Sequence, residues 1–143
     1  MLRYFFGILL FMSATTLTTS VNAREDAKKQ TDAEITKLLV GKWALEVDEM
    51  GVKVKGTQEY TKDGKFVGEA TIEAGKNTIK LTVSGTWVVK DGKVIETVKK
   101  SNQPMIAPEG KESKDTVISI DDKVYKFKDE MDKERTVKRI KDK

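Results

Sequence analysis

Apolar and polar residues alternate along most of the chain after residue 40. Trp43, Leu45 and Val47 alternate with charged or small residues, and residues 79–89 keep an apolar side chain or glycine at every second position. Strict alternation predicts strands with one face buried and the other in water, as in antiparallel sheets. We therefore predict eight strands, at about 41–48, 52–61, 64–73, 77–90, 93–100, 115–121, 123–129 and 134–140.

Short turns separate most of these strands. The tetrapeptide KDGK occurs at 62–65 and again at 90–93, and its Asp-Gly pair favours the positive φ that tight hairpins need. Short turns favour an up-and-down strand order, and closure into a barrel removes exposed sheet edges. The predicted fold class is all-β: an eight-stranded antiparallel up-and-down barrel with a short N-terminal helix. A β-sandwich is the competing architecture, because it requires similar patterning.

The helix is predicted directly before the first strand. Thr31 and Glu34 stand in a capping-box arrangement, and three apolar residues of the same segment share one helical face. The helix should span about 32–39 and end before Gly41. Because a helix of this length is not stable alone, we expect its apolar face to rest on one end of the barrel.

The first 23 residues have the three-part pattern of a secretory signal peptide. A basic start at Arg3 precedes the apolar run YFFGILLFM and a polar stretch that ends at Ala23. The apolar run is far shorter than the roughly 20 residues that cross a bilayer. We expect cleavage near Ala23, a flexible stretch at 24–30, one domain at 31–143, and a secreted or periplasmic protein without a membrane span.

Composition limits the chemistry that the chain can perform. It has no cysteine and no histidine, so disulfides, thiolate nucleophiles and imidazole bases are absent. Lysine and arginine number 27 against 23 aspartate and glutamate, and the interleaving of the two signs argues against nucleic-acid binding. Glu69 and Glu73 are out of phase with the apolar positions and should face water. We predict no enzyme activity, no cofactor and no metal site.

A Gly-x-Trp triplet occurs twice, in LVGKW at 39–43 and in GTWVVKDGK at 85–93. The first triplet follows the predicted helix and opens the first strand, which resembles the signature of lipocalins and of small exported bacterial lipocalin-like proteins. The resemblance covers most of the chain after the predicted signal peptide. It implies that Trp43 plugs the closed end of the barrel while a basic residue near the last strand, Arg139 or Arg135, packs across it.

An eight-stranded barrel is either filled by its own side chains or just wide enough for one small ligand. Small inward residues leave room beside larger ones, and the loop after the fifth predicted strand carries apolar residues between two prolines. Burial in the protein's own core is the simpler explanation for the tryptophans and for the loop residues. The candidate ligand contacts are Tyr60, Phe66, Trp87, Met105 and Ile106.

Three functions are consistent with this pattern. The first is an exported, monomeric, non-catalytic module that binds a small apolar or amphipathic ligand. The second is a filled barrel that serves protein interaction or maintenance of the cell envelope. The third is a hydrolase that uses buried carboxylates. The barrel interior distinguishes these functions, and which side chains meet there depends on the strand register.

Overall fold

The computed structural model describes residues 29–141, a helix followed by eight strands. Consecutive strands pair antiparallel, and the last strand pairs with the first through Trp43 and Arg139, which closes an up-and-down barrel. The predicted fold class is confirmed, and the sandwich is excluded. The elements are α1 (Asp32–Leu39), β1 (Gly41–Glu49), β2 (Val52–Tyr60), β3 (Lys65–Ala74), β4 (Asn77–Lys90), β5 (Lys93–Ser101), β6 (Glu112–Ile120), β7 (Val124–Lys128) and β8 (Glu134–Ile140).

Two predicted segments fall partly or wholly beyond this range. The predicted signal peptide, 1–23, lies outside the described residues, as does most of the stretch 24–30. Gln30 is described, and its side-chain amide exchanges two hydrogen bonds with the backbone of Ile120. Between residues 29 and 141, no helix is both long enough and apolar enough to cross a membrane.

The element boundaries follow the sequence pattern except at the start of β6. This strand begins at Glu112, three residues before the predicted start. Glu112 and Ser113 pair with Thr97 and Glu96 of β5 through the backbone. Backbone pairing needs no apolar side chain, so the polar ESK segment extends the strand without the alternation that marks it elsewhere.

The barrel has two different ends. The β1–β2, β3–β4, β5–β6 and β7–β8 connections lie at one end, which we call the rim, and α1 lies with the other connections at the helix end. The Asp32 carboxylate ties α1 to this end by accepting hydrogen bonds of 2.8 Å from the backbone N–H groups of Asp91 and Gly92. These two turn residues both have positive φ, as the Asp-Gly pattern predicts.

Trp43 closes the helix end. Its side chain is fully buried, and its indole Nε1 donates a 2.8 Å hydrogen bond to the Leu39 carbonyl. The Arg139 guanidinium lies 4.3 Å from the centre of the Trp43 ring and donates hydrogen bonds to the carbonyls of Val40 and Leu38. Arg139 therefore supplies partners for carbonyls that the end of α1 leaves open. Arg135, the alternative, lies toward the rim instead.

The second Gly-x-Trp triplet lies at an irregularity between β4 and β5. The register shifts between Ser84 and Gly85, and a Cβ atom on Gly85 would lie 2.0 Å from the Thr97 carbonyl oxygen. Only glycine fits this close approach of two strands. Trp87 points to the same face and donates a 3.0 Å hydrogen bond from Nε1 to the Lys65 carbonyl.

Candidate functional site

Five polar side chains meet inside the barrel, and we call them the interior cluster. All five are at most 7 % exposed. Their inward direction follows from strand alternation: Glu96, for example, lies on the same face of β5 as the buried Val94 and Val98. The members are Gln58 and Tyr60 on β2, Glu96 on β5, Asp115 on β6 and Tyr125 on β7.

Hydrogen bonds connect three members of the cluster across the barrel. Gln58 donates from Nε2 to Glu96 Oε1 at 2.6 Å and to the Tyr60 hydroxyl at 2.8 Å. The Tyr60 hydroxyl donates to the same Glu96 oxygen. Because β2 and β5 are not neighbours in the sheet, the two bonds to Glu96 cross the interior and do not follow its wall.

Other polar atoms of the cluster have no partner within residues 29–141. The Oε1 atom of Gln58 and the hydroxyl of Tyr125 are buried and make no hydrogen bond there. The Asp115 carboxyl is also buried, with 7 % of the residue exposed. Each buried polar group left without a partner costs about 1–3 kcal/mol. The cluster is therefore an unfavourable way to fill a barrel.

Burial changes the protonation of the two acids. Burial raises the pKa of Glu96 from its ordinary 4.5 to about 7, and hydrogen bonds from Tyr60 and Gln58 limit the rise. Burial also raises the pKa of Asp115 well above its usual range, and the nearby Glu96 and Asp129 charges act in the same direction. Both acids therefore hold a proton more readily than an exposed carboxyl does.

A network of ion pairs lies between the interior cluster and the rim. Arg135 is buried and donates from Nε to Asp129 Oδ2 at 3.2 Å and from Nη1 to Glu49 Oε1 at 3.3 Å. Lys133 also pairs with Glu49, and this hydrogen bond is the main reason why the pKa of Glu49 is lowered. Arg135 lowers the pKa of Asp115 in turn, so the network and the cluster are electrostatically coupled.

The interior has an apolar side and a charged side. Every buried charged side chain in the range 29–141 comes from β5, β6, β8 or the β7–β8 turn. The inward residues of β3 and β4 carry no charged side chain; they are Phe66, Gly68, Ala70, Ile72, Ile79, Leu81, Val83, Gly85, Trp87 and Val89. Aromatic rings surround the cluster, since Tyr60 lies edge-on to Trp87 at 5.5 Å and Tyr125 stacks on Phe127 at 4.8 Å.

The structure brings together three of the five predicted ligand contacts. Tyr60, Phe66 and Trp87 are at most 7 % exposed and pack against one another beside the cluster. Ile106, in the β5–β6 loop, is partly buried against the core, whereas Met105 next to it is 88 % exposed. The side chains of Tyr60, Phe66 and Trp87 are therefore shielded from solvent while the rim is closed.

A groove lies on the outside of the barrel. This outer groove has a volume of about 810 Å³ and crosses five strands, from β8 through β1, β2 and β3 to β4. Glu69 lines it, and both Glu69 and Glu73 are exposed, as predicted. Most lining side chains are polar, among them Lys55, Thr57, Glu69, Thr71, Lys80, Thr82, Thr136 and Lys138.

Sequence reasoning missed Gln58, Glu96, Asp115 and Tyr125. A signal for Glu96 was available, because the segment VIETV places it in phase with two valines on the inward face. Its partners could not be read in the same way, since Gln58 and Glu96 are 38 positions apart and meet only across the closed barrel.

Comparison of the chain with protein-family models and with curated proteins gives no match. The lipocalin-like family assignment therefore stays a prediction. In the described part of the chain, no group of three or more acidic side chains is arranged to hold a metal ion.

Proposed function

We propose that the protein is an exported, non-catalytic module that binds a small amphipathic molecule inside the barrel. The observation that carries this proposal is the interior cluster, in which Gln58 Oε1 and the Tyr125 hydroxyl are buried without a partner. A ligand with a polar end would supply these partners. Its apolar part would lie against the aromatic and aliphatic side chains of β3 and β4.

A purely structural barrel would be more stable with apolar side chains at these positions. Replacing buried charged groups by well-packed apolar ones is often neutral or stabilising. Buried groups with a strongly shifted pKa are also concentrated at functional sites. Nucleophilic catalysis by the hydroxyls beside the two acids is disfavoured, because burial raises the pKa of both Tyr60 and Tyr125.

Access for a ligand is expected at the rim. The β5–β6 loop closes this end by packing Ile106 and Ala107 against the core, so a ligand enters when the loop moves outward. Three exposed methionines, Met50, Met105 and Met131, lie in connections at the same end. Their flexible apolar side chains suit contact with an amphipathic molecule on its way in.

Native mass spectrometry and dye displacement test the proposal. We expect protein purified from its own compartment to carry a small-molecule adduct, and recombinant protein to bind N-phenyl-1-naphthylamine and release it to that molecule. Gln58→Met should reduce binding, whereas Glu59→Gln, at the adjacent exposed position on β2, should not. If no adduct is found and no dye binds, while circular dichroism shows both variants folded, the proposal is overturned.

The outer groove favours a second candidate function, a filled barrel that binds a protein partner on its outer face. Across the groove, registered backbone pairing sets Lys138, Ala44, Thr57, Glu69 and Thr82 in one row on neighbouring strands. Such a polar row suits an extended polar segment of a partner. Thr57→Arg should then abolish recovery of that partner from an envelope extract, while Glu96→Gln leaves it unchanged. The reverse pattern supports binding in the interior.

A further inference from the structure

We propose that the polar end of the ligand is an organic cation, a primary ammonium or an amidinium group, held by Glu96, Asp115 and Gln58. This inference rests on the proposed function and specifies the chemical class of its ligand. Two independent observations support it: two buried acids on the neighbouring strands β5 and β6, and buried polar atoms of Gln58 and Tyr125 that have no partner.

The hydrogen-bonding inventory of the cluster calls for a donor. Both N–H groups of the Gln58 amide are engaged, by Tyr60 and by Glu96. The open position of Gln58 is therefore an acceptor, Oε1, and the carboxylates of Glu96 and Asp115 add further acceptors when they ionise. An ammonium group carries three donors and no acceptor, and an amidinium is likewise a donor only. A hydroxyl offers one donor and a carboxylate offers none, so both match this set less completely.

The balance of buried charge also calls for a cation. Glu96, Asp115 and Asp129 are buried acids, and Arg135 is the one buried base in the described range. Arg135 already bonds to Asp129 and to Glu49, on the rim side of the cluster. Glu96 and Asp115 therefore lack a cation bonded to them, and burial keeps them toward their neutral forms. A bound cation would allow both to ionise.

The aromatic surroundings suit a cation with an apolar tail. Aromatic rings lie beside the acids: Tyr60, Trp87, Tyr125 and Phe127. Cations are attracted to the faces of such rings. Phe66 and the aliphatic side chains of β3 and β4 continue the apolar surface beyond Tyr60. An inorganic divalent ion is a poorer fit, because no three-carboxylate group exists in the residues described.

Paired probes of equal length test the inference. Binding of hexylammonium chloride and of 1-hexanol is measured by isothermal titration calorimetry at pH 6.5 and followed by tryptophan fluorescence, since Trp87 lies against Tyr60. We expect hexylammonium to bind at least about tenfold more tightly than hexanol, the difference expected for a charge-assisted hydrogen bond. Its binding should release protons, seen as a dependence of the apparent enthalpy on the buffer.

Variants connect this preference to the cluster. Glu96→Gln and, separately, Asp115→Asn should each remove most of the preference and the proton release, whereas the exposed control Glu59→Gln keeps both. Either acid variant suffices if the other does not fold.

The possible results separate the two proposals. Equal affinity for the two probes overturns the cation inference and leaves the proposed function standing. Failure of both probes to bind overturns both. If the folded acid variants keep the preference for hexylammonium, the cation binds elsewhere and the assignment is overturned. Displacement of hexylammonium by sodium or calcium chloride at matched ionic strength also overturns it.

Discussion

Replacing Glu96 by glutamine should make the protein more stable above neutral pH. The perturbation is small, because glutamine has nearly the same shape and keeps an oxygen that accepts the hydrogen bonds of Tyr60 and Gln58. What it removes is the ionisation of a buried acid. The titratable groups that interact with Glu96 are Tyr60, Tyr125 and Asp115. Asp129, Glu130 and Arg135 act in turn on Asp115.

The magnitude follows from the pKa of Glu96. This pKa is 4.5 when the side chain is exposed and about 7 in the folded protein. A folded-state pKa that is raised contributes stability that is complete below pH 4.5 and is lost as the pH rises through 7. At about 1.4 kcal/mol per pKa unit the full loss is about 3 kcal/mol, and most of it falls between roughly pH 5 and 8. Asp115 adds a loss in the same direction, because its pKa is also raised by burial.

Urea unfolding monitored by tryptophan fluorescence measures this effect, since Trp43 and Trp87 are both buried. The wild-type free energy of unfolding should fall by at least about 2–3 kcal/mol from pH 5 to pH 8 at constant ionic strength. Glu96→Gln should match the wild type near pH 5, exceed it at pH 8 and show a shallower slope. Glu59→Gln should follow the wild-type curve. Parallel curves for wild type and Glu96→Gln would refute the reasoning.

Three further substitutions test particular contacts. Gly85→Ala should lower the free energy of unfolding, measured with urea, by at least about 2 kcal/mol, because the added Cβ would lie 2.0 Å from the Thr97 carbonyl oxygen. Gly75→Ala is the control and should cost less: Gly75 has a positive φ, but its added Cβ would meet no atom within 4 Å. Arg139→Lys should cost about 1–2 kcal/mol and reduce helical circular dichroism, because lysine cannot bond to Val40 and Leu38 together while lying over Trp43; an unchanged midpoint would contradict this role. Tyr125→Phe should leave stability unchanged or raise it by up to about 2 kcal/mol, since the hydroxyl it removes is buried without a partner; a clear loss of stability would mean that the hydroxyl is bonded in solution.

The fold was predictable because local signals and the overall pattern agree. Thr31 and Glu34 form the capping box that marks the start of α1, and the helix ends at Leu39, before Gly41. The alternation in β4 runs over residues 79–89, and the bounds of this 14-residue strand were predicted without error. Glu112 and Ser113 were missed because their pairing depends on β5 and leaves no trace in their own side chains.

The site was predictable only in part. The parity of Glu96 was visible in the sequence, and parity alone places it inward. The pairing of Glu96 with Gln58 required the barrel to be closed, because strand order decides which inward residues face each other across the interior. Tyr60 was predicted as a ligand contact, and in the structure its hydroxyl bonds to Glu96. Sequence patterning describes faces, whereas a site depends on distances between faces.

The same acids that destabilise the barrel offer a way to decide between the two candidate functions. A cation bound beside Glu96 and Asp115 favours their ionised forms, so by linkage its stabilising effect should grow as the pH rises from 5 to 8. A partner in the outer groove would contact Lys55, Glu69 and Lys80. These side chains point away from the barrel interior, on the opposite face of the sheet from Glu96. The stabilising effect of such a partner should not depend on Glu96. Unfolding curves of wild type and Glu96→Gln, with and without hexylammonium across this pH range, therefore discriminate between the sites. A ligand effect that is the same at every pH and in both proteins would exclude binding at the interior cluster.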